Sequence, residues 1–230
     1  DETLISSLTL ADMEGVTPIE TTGQVRWFKR PTPGHTYMVS LDPSMGTGGD
    51  YAAIQVFELP TFEQVGEWHH NQTPMNQQVR ILQGINKHIH ETIMEKDATA
   101  TPQIFYSMEN NTIGEAALMR VMDIGEENIE GMFLSEPIRK GHRRKFRRGF
   151  NTTAKHKIDA CTKFKELIEN DKMKINSQLL ISEMKDFVAS GLSYKAKPGQ
   201  HDDLVSACLL MTRMMKVLAD FDPKIFEKWT

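Results

Sequence analysis

The sequence predicts an α/β fold built on a mixed sheet, and three observations carry the prediction. Three extended apolar-rich segments follow one another between residues 37 and 70, close enough to pair as an antiparallel meander. A helical stripe then intervenes before a fourth extended segment, an arrangement that brings a strand back parallel to an earlier one. Most of the remaining chain alternates between helical periodicity and short turns.

Residues 1–25 hold five acids and no Lys or Arg, with scattered Gly, Thr and Pro, and read as a linker or docking segment rather than core. After the punctuation of "KRPTPGH", "TYMVSLD" is the first strong strand, with Tyr37, Val39 and Leu41 on one face and Met38, Ser40 and Asp42 on the other. "PSMGTGGD" is turn chemistry, and "YAAIQVFEL" and "EQVGEWHH" are the next strands. From Pro74 to Lys96 the spacing of Val79, Leu82, Ile85, Ile89 and Ile93 is a helix stripe. "TPQIFYSMEN" returns to strand, "TIGEAALMRVM" is a short helix and "IEGMFLSE" a further strand. "NTTAKHKIDACTKFKELIEN" has Asn151 or Thr152 as N-cap and an apolar face of Ile158, Cys161, Phe164 and Ile168. "QLLISEMKDFVA" reads as a shorter helix, "SYKAKPGQ" as a turn or hairpin, and "DDLVSACLLMTRMMKVL" as a last, mostly apolar helix.

Composition sets the bounds. The chain has 230 residues, 39% hydrophobic and 25% charged, which suits one large domain with a real core. No run of 18 apolar residues is present, and the start "DETLISSL" lacks the charged head and apolar core of a signal peptide, so a cytosolic protein is expected. Cys161 and Cys208 are far apart in helical stretches and read as buried reduced thiols. The net charge is −4, but residues 139–148, "RKGHRRKFRR", hold seven cations and no acid, leaving −11 for the rest. An acidic body with one cationic patch points to a local polyanion contact.

Three carboxylates stand where chemistry can use them. The first strand ends on Asp42 and the fourth on Glu109, each preceded two places earlier on the same face by a serine, Ser40 and Ser107, which would leave room for a ligand. If those strands are adjacent and parallel, both acids project from one sheet edge, where α/β folds hold their ligands. In "GQHDDLVSACLL", Asp203 shares the apolar stripe of Ala207, Leu210 and Met214, whereas Asp202 aligns with Ser206, Leu209 and Arg213, so Asp203 is the one directed inward. Each acid alone reads as a turn-former, a strand terminus or a helix cap. Together they would repel one another, and a hard cation such as Mg²⁺ or Mn²⁺ resolves that repulsion.

"VSLDPSMGTGGDYAAIQVFEL", "YSMENNTIGEA", "GFNTTAKHK" and "HDDLVSACLL" resemble, in this order, the motifs of the nuclease domain of the large terminase subunit, the DNA-packaging motor protein of tailed bacteriophages. The resemblance covers roughly residues 35–215 and implies an RNase H-like mixed sheet of strand order 3-2-1-4-5 flanked by helices. It implies a largely sequence-nonspecific endodeoxyribonuclease that cuts concatemeric DNA, with two Mg²⁺ or Mn²⁺ ions held by Asp42, Glu109 and Asp203 and with Asp202 as an adjacent metal helper. It further implies duplex DNA, the packaging ATPase domain, the portal and the small terminase subunit as partners, and the cytoplasm of the infected bacterium as the location. No G-x-x-x-x-G-K-[ST] loop is present, so no ATPase activity is expected of residues 1–230; residues 1–30 are expected as an interdomain linker and 31–230 as the nuclease domain.

The basic run supplies the expected DNA contacts, Arg139, Lys140, Arg143, Arg144, Lys145, Arg147 and Arg148, with Phe146 free to pack or stack. "GTGGD" reads as a hairpin turn, since no helix follows it to cradle a phosphate. Lys155 and Lys157 could reach a phosphate. The histidines, His69 and His70 among them, read as surface or packing residues, with His201 beside the acidic pair as the exception. Two other readings share these features: a different RNase H-like nuclease such as a resolvase or transposase core, and a non-catalytic DNA-docking module of the motor.

Overall fold

A computed structural model describes residues 2–137 and 148–221. Helix α1 (Ser7–Asp12) and two short strands, β1 (Glu20–Thr22) and β2 (Val25–Trp27), precede the expected meander of β3 (Thr36–Asp42), β4 (Ala52–Leu59) and β5 (Glu63–His70). Helix α2 (Met75–Lys96) leads to β6 (Gln103–Met108), α3 (Thr112–Ile124), a 3₁₀ turn and β7 (Met132–Phe133). Helices α4 (Ala154–Glu169) and α5 (Gln178–Asp186), the hairpin of β8 (Phe187–Ser190) and β9 (Ser193–Ala196), and α6 (Asp203–Phe221) complete the fold.

The main sheet runs β1-β2-β5-β4-β3-β6-β7. Counting only the five strands foreseen, this is the expected 3-2-1-4-5 order. β3 pairs antiparallel with β4 and parallel with β6, in a register that sets Ser40 beside Ser107 and Leu41 beside Met108. The parallel pairing follows from the α2 crossover. The sheet is buried on both faces. Tyr37, Val39 and Leu41 pack with Val79, Leu82, Ile85, Ile89 and Ile93 of α2 and with Ala117 and Val121 of α3. Met38 faces the other layer, where α4, α5 and α6 pack through Cys161, Phe164, Ile181, Met184, Ala207, Leu210 and Met214. Cys161 and Cys208 are buried and unpaired with each other, as expected, and burial pushes both thiols up, Cys161 to about 11.

Four readings need correction. The acidic N-terminal stretch contributes to the core: Leu4, Ile5 and Leu10 are buried against the α4–α6 layer, and Trp27 is buried against the other. Its low charge balance concealed apolar residues spaced to cover a helical surface. The N-cap of α4 is Thr153, whose hydroxyl accepts the His156 N–H, rather than Asn151 or Thr152. The start therefore moves round, and the buried face is Ala160, Cys161, Phe164, Leu167 and Ile168, with Ile158 left 37% exposed. Finally, α5 stops at Asp186, and the β-branched and aromatic residues that follow, Phe187 and Val188, pair with β9 instead of prolonging the helix.

Candidate active site

The end of β3 is fixed from both sides. Ser44, just past Asp42, donates its N–H to the Gln78 side chain, and Gln78 Nε2 in turn donates to the Ser44 and Thr73 carbonyls, tying the exit of the strand to α2. The "GTGGD" segment is the expected hairpin connection, and Gly46 turns through it at φ +68°, where a Cβ would lie 2.2 Å from the Thr73 carbonyl oxygen. At the end of β6, the Glu109 N–H donates to the Leu41 carbonyl, carrying the β3–β6 register one residue further, to the pair of acids. Asn111 caps α3 by accepting the Gly114 N–H, and a Cβ at Gly114 would lie 1.8 Å from the Glu109 carbonyl oxygen, so only glycine lets α3 start this close to the acid.

The two serines do not leave the open space expected of them. Ser40 and Ser107 are fully buried; the Ser40 hydroxyl donates to the Ala207 carbonyl at 2.8 Å and the Ser107 hydroxyl to the Leu134 carbonyl at 2.7 Å. Their small size lets α6 lie against β3. That contact brings the first turn of α6, and with it Asp203, up to the sheet edge.

Asp42 and Glu109 stand side by side at the ends of neighbouring parallel strands and line one cleft. Burial first, then the charges of Glu109 and Asp203, the nearness of the Glu109 carboxyl and the Asp202 charge push the Asp42 carboxyl well above the usual carboxylate range. Asp203 is raised to about 6, by burial and by the charges of Asp202 and Asp50, against the opposing effects of His201 and the Tyr51 N–H that it accepts. Negative charge on these groups is therefore disfavoured unless a cation accompanies it. Divalent ions suit such a cluster of hard oxygen donors.

Asp42 and Glu109 line a cleft of about 560 Å³ with Thr152, His156, Lys157, Ser206 and Arg213. Arg213 stacks over Phe150 at 5.2 Å and donates to Glu136, the Thr152 hydroxyl and the Asn151 carbonyl. Lys157 is on the cleft wall, 5.6 Å from the Phe187 ring centroid; Lys155 does not line it. Asp202 Oδ2 accepts the Ala196 N–H, holding the β8–β9 hairpin to the start of α6.

Asp203 is not among the residues that line that cleft; it lies with a second group of ligand atoms. His69 on β5, Glu183 on α5 and Asp203 each offer a ligand atom, all within 4.8 Å of one another. Glu183 Oε2 accepts the Val205 N–H in the first turn of α6, and burial, with the Asp203 and Asp202 charges, raises the group to about 8. His69 stacks on Tyr51 at 4.1 Å between ring centroids, and burial lowers it to about 4, which keeps the ring neutral. In the sequence His69 reads as a surface or packing residue, and Glu183 is not among the candidate site residues. The signal for Glu183 was its helical spacing from Leu180 and Phe187, both buried, which sets an acid on an apolar face. His201 Nδ1 lies 3.7 Å from Asp203 Oδ2 on a half-exposed ring.

Of the expected DNA contacts, Arg139, Lys140, Arg143, Arg144, Lys145 and Arg147 lie outside the described residues. Arg148 is described: it pairs with Glu126 and lies 5.8 Å over the Phe133 ring. The flanks of the run are held together, the Glu136 N–H donating to the Gly149 carbonyl, and Asn110 bonds the Arg148 and Phe150 carbonyls immediately after Glu109.

A mixed sheet in this order, with acids at the adjoining ends of its two central parallel strands and a third on the helix packed across them, defines an RNase H-like α/β domain with a carboxylate site. The chain belongs to the terminase RNaseH-like domain family, whose model matches residues 39–214. Solved structures share the fold at low identity. The large terminase nuclease from thermophilic phage G20c with bound magnesium is 17% identical, covering 92% of this chain and 97% of that one at a TM-score of 0.66. The Thermus phage P74-26 large terminase nuclease domain is 17% identical over 88% and 90% of the two chains, TM-score 0.61. The human cytomegalovirus terminase nuclease domain, Mn soaked with inhibitor bound, is 13% identical over 91% and 93%, TM-score 0.55.

Proposed function

We propose that this terminase nuclease domain is a two-metal-ion endodeoxyribonuclease that cuts concatemeric duplex DNA with little regard to sequence. Its metal ligands are Asp42, Glu109 and Asp203, with Asp202 beside them. What carries this reading is the placement of Asp42 and Glu109 at adjoining strand ends on one cleft, with the Asp203 charge acting on Asp42, because Mg²⁺ or Mn²⁺ relieves the repulsion in such a cluster of oxygen donors. When bound, paired divalent ions activate water and stabilise the leaving oxygen in phosphodiester hydrolysis.

The chain's own residues do the rest. Asp42 and Glu109, on strand ends fixed by the sheet, set the geometry of the oxygen donors. Lys157, and Arg213 braced by Glu136, lie on the cleft wall and can meet a phosphate entering it. The cationic residues 139–148 then hold the duplex by its phosphates, a contact that carries no sequence information. The family implies the packaging ATPase domain, the portal and the small terminase subunit as partners in the infected bacterium. Among the described residues no helix is long and apolar enough to cross a membrane.

The test is plasmid nicking with Mn²⁺ by the parent protein and by Asp42→Ala. The parent should convert supercoiled DNA to nicked and linear forms, and the variant should fall to background. Equal inertness of the two would favour a DNA-docking module. Strong preference for branched over plain duplex DNA would favour a resolvase-like enzyme.

A further inference from the structure

Around Asp203, a second set of donors converges. His69 comes from the end of β5, opposite Ala53 in the register, Glu183 from the last turns of α5, and Asp203 from the first residue of α6. Three separate elements therefore deliver one ligand atom each to a region less than 4.8 Å across. His69 Nε2 is sealed from solvent and has no hydrogen-bond partner. It lies 3.7 Å from Glu183 Oε1, too far for a hydrogen bond, and Glu183 is itself nine-tenths buried. A buried ring nitrogen without a partner is costly unless something fills the gap.

A cation fits the gap in chemistry. Metal–nitrogen and metal–oxygen bonds of about 2.0–2.2 Å place neighbouring ligands roughly 3.0–3.4 Å apart, so the 3.7 Å pair needs to close by only a few tenths of an ångström. The nearby Arg26 does not serve, since it is already paired with Glu67 at 3.0 Å. The backbone supports the set as well: Glu183 is held by the Val205 N–H and Asp203 by the Tyr51 N–H, which leaves the His69 ring packed on Tyr51 as the third wall.

We propose that His69, Glu183 and Asp203 form a divalent-cation seat distinct from the Asp42–Glu109 pair and joined to it through Asp203. It rests on the nuclease reading only in that Asp203 is common to both sites. An imidazole donor makes the seat favour Co²⁺, Mn²⁺ or Zn²⁺ over Mg²⁺, which prefers oxygen and water. Its work is to pin the start of α6, where three acids would otherwise push one another apart, and so to hold Asp203 at the sheet edge.

The experiment titrates the full chain, freed of metal, with Co²⁺ and reads stoichiometry by calorimetry and the visible d–d spectrum, which reports a nitrogen ligand. The parent, H69Q, E183Q and D42N are compared, and metal-free melts confirm that each variant is folded. Gln at position 183 keeps an acceptor for the Val205 N–H. The proposal expects H69Q and E183Q each to lose one Co²⁺ equivalent, or to bind it at least about tenfold more weakly, with loss of the nitrogen-ligand spectrum. D42N should keep that equivalent and spectrum. Parental stoichiometry and spectrum in folded H69Q and E183Q would overturn it, as would loss of the nitrogen-ligand spectrum in D42N alone. Failure of the nuclease reading looks different: D42N would still nick plasmid DNA whatever becomes of the cobalt signal.

Discussion

Replacing Asp203 by Asn should make the metal-free protein more stable, an unusual direction for a residue placed in a catalytic cluster. The Asp203 carboxyl is raised from 3.8 to about 6, chiefly by burial and then by Asp202. About two pH units at roughly 1.4 kcal/mol each give on the order of 3 kcal/mol against folding when the group is ionised. The side chain is 15% exposed, so water screens part of this and about 2 kcal/mol is the working figure. For a domain of this size each kcal/mol shifts Tm by roughly 2–4 °C, which predicts a gain of about 4–8 °C. The pH dependence follows from the sign. Between pH 3.8 and about 6 the folded chain keeps a proton that the unfolded chain has released, so the parent loses stability as pH rises through that window and then levels off. Glu183, raised from 4.5 to about 8, extends the decline upward. Thermal melts in EDTA at pH 4.5, 6 and 8 should therefore show the advantage of Asp203→Asn small at 4.5 and near its maximum by 7–8, and saturating Mn²⁺ should stabilise the parent more than the variant. A variant no more stable than the parent at pH 8, or equally favoured at pH 4.5, would refute the electrostatic argument.

Two other outcomes are expected. Changing Arg143, Arg144, Arg147 and Arg148 together to Ala should weaken duplex binding and reduce the slope of log K against log salt by as much as about 3–4, leaving metal affinity nearly unchanged in calorimetry; an unchanged slope would remove the phosphate role. Leu4→Ala should cost about 2–4 kcal/mol in urea unfolding, because Leu4 is 2% exposed within the α4–α6 layer; a change below about 0.5 kcal/mol would return residues 2–12 to linker status.

The sheet was legible because period-2 alternation and the α2 stripe leave little freedom in pairing: once β3 is central and α2 crosses over, β6 must lie parallel to it. The convergence of Asp42 and Glu109 followed from two strand ends and one assumption about adjacency, which the register bears out. The role of Ser40 was misread, since its value lies in a hydroxyl that seats α6, a partner 167 residues away in the chain. His69 and Glu183 escaped for the same reason. Their significance depends on β5, α5 and α6 meeting in space, and no local spacing in the sequence encodes that meeting. The N-terminal stretch was hidden by its composition, an acidic and Thr-rich surface over three buried apolar side chains.

The central claim is that carboxylates from β3, β6 and α6 share divalent ions. Diffraction from a crystal soaked in Mn²⁺, collected at a wavelength where manganese scatters anomalously, tests it most directly. The account predicts anomalous density within about 2.0–2.6 Å of oxygens of both Asp42 and Glu109. Ordered manganese elsewhere, with none against Asp42 and Glu109, would contradict it.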